Sequence, residues 1–202
     1  MCGRFYIRDV TRVSGIRDVA PSDSAFIMTD LAGEWKKTKW GYKGRNGQLI
    51  INARAESIKG KPMFGRDYVK RRCLVPASGF YEWDRNKQRY CVTDSDSADE
   101  IYLAGICTGL PDDDGRFTTL TVDANEQLKE LHPRMPVLVK KYEFERWFGS
   151  LEEADRLLAE KIHGKQTFSI KRDLEINQIN DTIEIYVQQN LMNYIDGINH
   201  KK

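Results

Sequence analysis

Four residue types with reactive or proton-handling side chains stand out by position: Cys2, Asn52, Glu82 and His132. Cys2 lies directly behind the initiator Met1, and methionine is usually removed before a small residue. The new N-terminus then carries an α-amine and a thiol two carbons apart. Such a pair condenses with an aldehyde, first as an imine and then as a five-membered thiazolidine ring. An α-amine has a pKa of roughly 7.7–8.0 against about 10.4 for lysine, so an appreciable fraction is neutral and nucleophilic near pH 7. From position alone, an ordinary small residue at a chain end is the favoured reading. Glu82 sits between Tyr81 and Trp83; taken alone, the solvent side of an alternating strand is the favoured reading, and the alternative is a carboxyl partly desolvated by the aromatic rings, with a raised pKa. Asn52 follows Leu49-Ile50-Ile51, and a turn-forming asparagine would explain it as well. His132 precedes Pro133 and titrates near neutrality, although a packing or capping histidine is the common case. Arg4, Arg54, Arg72 and Arg134 neighbour these segments and offer planar forks of donors matched to phosphate. Thirty acidic residues are available to pair with them instead. Trp40, Tyr81 and Trp83 are candidates to stack on bases, with core packing expected for two of the three.

The elements that must position these groups are mostly short strands. Residues 4–8, 24–29, 34–42, 73–76, 101–110 and 117–122 read as strands, and 79–84 with 88–93 as a hairpin. Asn46-Gly47 marks a tight hairpin turn. Helices are expected near 64–70, 126–131, 142–148 and 151–162, and further short strands at 136–140 and 168–170. Segment 9–20 is weakly patterned, with Gly15 weakening a helix. The pattern predicts an α+β fold in a single domain, mainly β, with a curled or barrel-like antiparallel sheet and several short helices. The domain is expected over residues 1–180, followed by a tail, 181–202, with a strand near 182–187 and a helix near 188–198.

Composition narrows the function classes. The 202 residues are 40% hydrophobic and 31% charged, with a net charge of +2. That balance suits a soluble globular protein and does not by itself imply a nucleic-acid partner. No apolar run approaches the roughly 20 residues that cross a bilayer, and Arg4, Arg8, Asp9 and Arg12 interrupt any signal-peptide core. A cytoplasmic protein is expected, without a membrane partner. Cys2, Cys73, Cys91 and Cys107 show no C-x-x-C spacing, so neither a metal site nor a cofactor is expected. Cys73, Cys91 and Cys107 lie in apolar runs and are expected in the core.

Taken jointly, four segments in order resemble the SRAP family, the SOS-response-associated peptidase-like proteins that process abasic sites. They are Met1-Cys2-Gly3-Arg4-Phe5, Asn52-Ala53-Arg54-Ala55-Glu56, Cys73–Pro76 leading into Gly79-Phe80-Tyr81-Glu82-Trp83, and His132-Pro133-Arg134-Met135-Pro136. The resemblance implies a compact, mainly β fold and a catalytic Cys2 exposed by loss of Met1. It also implies covalent capture of the ring-opened abasic sugar in single-stranded DNA during the DNA damage response. Asn52, Glu82 and His132 correspond to active-site positions, and Arg4, Arg54 and Arg134 to phosphate-binding ones. Arg72 and Trp40 are added as DNA contacts, and a monomer is expected, nucleoid-associated when bound to DNA. The segment after Trp40-Gly41 is shorter than in family members and lacks their tryptophan. The rival readings are a cysteine peptidase, acting on its own N-terminus or on peptides, and a non-catalytic single-stranded DNA-binding module.

Overall fold

The computed structural model describes residues 3–8, 16–96, 100–108, 115–164 and 166–173. Cys2 and the expected tail elements, near 182–187 and 188–198, lie outside the described residues. The first strands are β1 (Phe5–Arg8), β2 (Ile16–Val19), β3 (Ser24–Met28), β4 (Trp35–Trp40), β5 (Tyr42–Lys43), β6 (Leu49–Ile50) and β7 (Asn52–Arg54). A 3-10 helix at Ala55–Gly60 and α1 (Gly65–Lys70) lead into β8 (Arg72–Ala77), β9 (Gly79–Trp83), β10 (Arg89–Asp94), β11 (Ile101–Cys107), β12 (Arg116–Asp123) and β13 (Arg134–Pro136). After a second 3-10 turn at Lys141–Glu143, α2 (Phe144–Phe148), α3 (Leu151–His163) and β14 (Phe168–Arg172) complete the described elements.

Two sheets carry the architecture. One runs β14-β10-β9-β1-β2. The other runs β11-β8-β3-β4-β12-β13, and β11 also pairs with β12, so five of its strands close into a barrel. Closure removes the exposed edges that an open sheet would present. The expected curled, mainly β fold is therefore observed. Most pairings are antiparallel, but β4 and β7 both run parallel to β12, with Trp40 opposite Phe117 and Asn52 opposite Thr119. Strands β8, β11 and β12 are buried on both faces, and their Val, Leu, Ile and Phe residues build the core between the sheets and beneath the helices. Cys73, Cys91 and Cys107 are buried free thiols, as their apolar runs imply.

Local chemistry explains the punctuation. Gly47, at φ +78°, makes the turn between β5 and β6 where a side chain would be strained. Ser150 and Glu153 cap α3 reciprocally. Three expectations shift. Residues 126–131 form successive turns, not a helix: Asn125 Oδ1 accepts from the N–H groups of Gln127 and Leu128, but Pro133 follows before a helix can propagate. The strand expected at 136–140 is instead β13, with Leu138 bridging Leu103 beyond it. The weakly patterned segment contains β2, a partly exposed edge strand whose polar composition hides its pairing. Among the described residues no helix is long and apolar enough to cross a membrane.

Candidate functional site

The N-terminal strand is held between two others. Phe5 pairs with Val19 on one side and with Phe80 on the other. Tyr81 N–H donates to Arg4 O at 2.9 Å, carrying the β1–β9 pairing one residue past the named strand. The same antiparallel register sets Gly3, the residue after Cys2, opposite Glu82. Glu82 alternates with Tyr81 and so shares the inward face of β9 with Phe80. It is only 3% exposed, and burial pushes its carboxyl up to about 7. A carboxyl with that affinity accepts and releases protons at neutral pH, where an ordinary glutamate stays ionised.

Asn52 reaches the same interior from the barrel. Thr119 Oγ1 donates to its Oδ1 at 2.6 Å, which fixes the amide oxygen and leaves the NH2 end as the donor side of the group. Register partners share a sheet face, so Asn52 and Thr119 lie on the face that carries Phe117 and Trp40. The Trp40 ring packs 5.1 Å from Phe5, whose register partner is Phe80. Asn52 and Glu82 therefore both face the space between the sheets. His132 enters from the far edge of β12, two residues before Arg134 opens β13. His132 Nδ1 lies 3.0 Å from the Arg134 N–H and 3.2 Å from the Arg134 carbonyl oxygen; the shorter contact favours Nδ1 as the acceptor, with the ring proton on Nε2. Burial holds the His132 pKa below its ordinary value, favouring that neutral form.

The arginines divide. Arg54 is exposed at the end of β7. Arg4 pairs with Asp18 at 3.3 Å, and the same carboxylate accepts from Tyr81 Oη at 3.0 Å. Arg134 forks onto Glu56 with both contacts at 2.8 Å and also meets Asp123, so a phosphate would have to share or displace carboxylates there. Arg72 is corrected. It is buried, and its guanidinium donates to Tyr68 O and Val69 O at the end of α1 and to Trp147 O and Gly149 O at the end of α2. It caps two helices and is not a DNA contact. Trp40 is corrected for the same reason: it is 0% exposed, stacked on Phe117, with its indole N–H on Ile51 O at 2.9 Å. No base can reach it. Tyr81 is buried, while Trp83 stays partly exposed. The short segment after Gly41 is the β5–β6 hairpin.

Sequence reasoning missed Asp18, Glu56 and Thr119 as partners of the site. Glu56 had a signal, since it closes the Asn52–Glu56 segment. Asp18 and Thr119 had none. Among the described residues no group of three or more His, Cys, Asp or Glu side chains could hold a metal.

Comparison with known proteins agrees in region and fold. A family model described as SOS response associated peptidase (SRAP) matches residues 1–184. The abasic site processing protein YoaM of Bacillus subtilis is 32% identical over 147 residues, 65% of this chain and 65% of the relative. The abasic site processing protein HMCES of Gallus gallus is 30% identical over 159 residues, covering 60% of this chain and 47% of the relative. The chain thus spans under two thirds of these relatives' length. A crystal structure of a Bacteroides thetaiotaomicron protein superposes with a TM-score of 0.63 at 25% identity, covering 77% of this chain and 78% of that one. A phage-related protein of Bordetella bronchiseptica gives 0.67 at 23% identity, with 85% and 93% covered, and shows the shared fold.

Proposed function

Because the chain belongs to the SOS response associated peptidase (SRAP) family, we propose that it captures abasic sites in single-stranded DNA as a covalent cross-link through Cys2. The observation that carries this reading is the β1–β9 register, which sets the residue after Cys2 opposite a buried carboxyl of raised proton affinity. The names of the relatives supply the substrate class.

The chemistry follows from the parts. Removal of Met1 exposes the Cys2 amine, whose nitrogen adds to the C1 aldehyde of the ring-opened sugar. Glu82 takes the proton that the amine sheds and returns one to the departing hydroxyl, so that water leaves and the imine forms. The Cys2 sulfur then adds to the imine carbon as its thiol proton passes to nitrogen, closing the thiazolidine. The net change is loss of one water. During ring opening the proton of the anomeric hydroxyl passes through solvent to the sugar ring oxygen, which the His132 Nε2–H polarises by a hydrogen bond, and Asn52 holds Cys2 by its amide. Arg4 and Arg54 bind flanking phosphates. The acting species is a monomer in the cytoplasm, nucleoid-associated while bound to DNA.

Substitution of Cys2 separates the amine from the sulfur. Cys2→Ala keeps an amine and is expected to give an imine trapped only with borohydride, with no heat-stable adduct otherwise. A heat-stable Cys2→Ala adduct formed without reductant would exclude the thiazolidine. Equal affinity for intact and abasic strands, with no adduct, would favour a binding module, and cleavage of peptides a peptidase.

A further inference from the structure

We propose that Glu56 is a positioning residue for His132, acting through Arg134 across strand β12. The role rests on the abasic-site reading above, but the geometry stands independently of it. Glu56 lies in the 3-10 helix directly after β7, four residues beyond Asn52. Arg134 opens β13, two residues beyond His132. Strands β7 and β13 lie on opposite edges of β12 and meet at Thr121, which is opposite Arg54 on one side and Pro136 on the other. The Arg134 side chain spans that strand: Nη1 donates to Glu56 Oε1 and Nη2 to Glu56 Oε2, each at 2.8 Å, while Nη2 also meets Thr121 O at 2.6 Å.

Two carboxylates touch this guanidinium, and their surroundings rank them. The Asp123 side chain is 89% exposed, so water competes for it, whereas Glu56 is 34% exposed and meets Arg134 bidentately. Burial works against ionising Glu56, yet the hydrogen bonds from Arg134 hold its carboxyl below the usual range. A guanidinium fixed at its tip fixes its own backbone. That backbone meets His132 Nδ1 twice, with its N–H at 3.0 Å and its carbonyl oxygen at 3.2 Å. Glu56 joins the Asn52 segment to the His132 segment, and by holding the Arg134 backbone so that the N–H contact is the shorter it biases the imidazole toward the tautomer with Nε2 as donor.

The test needs a readout that general destabilisation would not move. In full-length protein, long-range 1H–15N spectra of the wild type near neutral pH should show His132 with Nδ1 unprotonated and Nε2 protonated. Glu56→Gln keeps the length of the side chain but loses its charge and second acceptor, and Arg134→Lys loses the fork; both should move the two nitrogens toward a tautomeric average. In single-turnover cross-linking, Glu56→Gln should lower the saturating rate about ten-fold while the half-saturating DNA concentration stays within about two-fold. A folded Glu56→Gln or Arg134→Lys protein with the wild-type tautomer pattern would overturn the proposal. So would a loss confined to half-saturation, which would make the pair a phosphate site. Failure of the wild type to cross-link would sink the abasic-site reading and leave the tautomer result to be judged alone.

Discussion

Glu82 concentrates the residue-scale consequences. A carboxyl held near 7 in the folded chain and near 4.5 in the unfolded one keeps a proton on folding that the unfolded chain has released. Between those values the folded state binds more protons, so stability falls as pH rises through the window. Glu82→Gln removes the titration. It is expected to raise Tm at pH 8 relative to wild type and to leave the difference at pH 4 small, with a loss of about 3 kcal/mol relieved at the higher pH. Thermal unfolding at the two pH values checks it, and a pH-independent offset would contradict it. The same substitution removes the proton relay proposed for imine formation. In the sequence, the Tyr81-Glu82-Trp83 triplet raised the idea of a desolvated carboxyl, but it could not say which face of β9 points inward. Alternation with Phe80, whose partner is Phe5, decides that.

At the scale of elements, Arg72 shows why charge beside a motif is weak evidence. Its position after Lys70-Arg71 reads as part of a basic run, yet the chain turns at the end of α1 and drives Arg72 inward. There its donors meet carbonyls that the last turns of α1 and α2 leave without intrahelical partners. Arg72→Ala is expected to cost about 3 kcal/mol or more, because buried carbonyls lose charged donors. The drop in Tm should come without a change in DNA affinity measured below the transition; weakened DNA binding by a fully folded variant would restore Arg72 as a DNA contact. Trp40 teaches the same lesson for aromatics. The strands themselves were largely legible, since alternation and β-branched runs mark β8, β9, β10, β11 and β12. The parallel pairing of β4 and β7 with β12 was not, because register between distant strands leaves no local pattern. The turns at 126–131 were misread as a helix because Asn125 supplies a real capping interaction, while the length needed to nucleate a helix is lacking.

For the molecule as a whole, folding brings the β1, β7 and β9 segments to the space between the two sheets. Strand β1 enters through the smaller sheet beside Glu82, and the barrel delivers Asn52 on β7. The order of the four motifs was readable without a structure; the Glu56–Arg134 bridge between two of them was not. The proposed chemistry requires this assembly to serve an N-terminal amine and thiol together. The most direct measurement is denaturing electrophoresis with intact mass, after mixing the purified protein with single-stranded DNA bearing one abasic site. A heat-stable slower band is expected, with the mass of the Met1-less chain plus the oligonucleotide minus one water. Absence of that species with Met1-less protein, or an equal yield from protein that retains Met1, would rule out capture by the Cys2 amine and thiol.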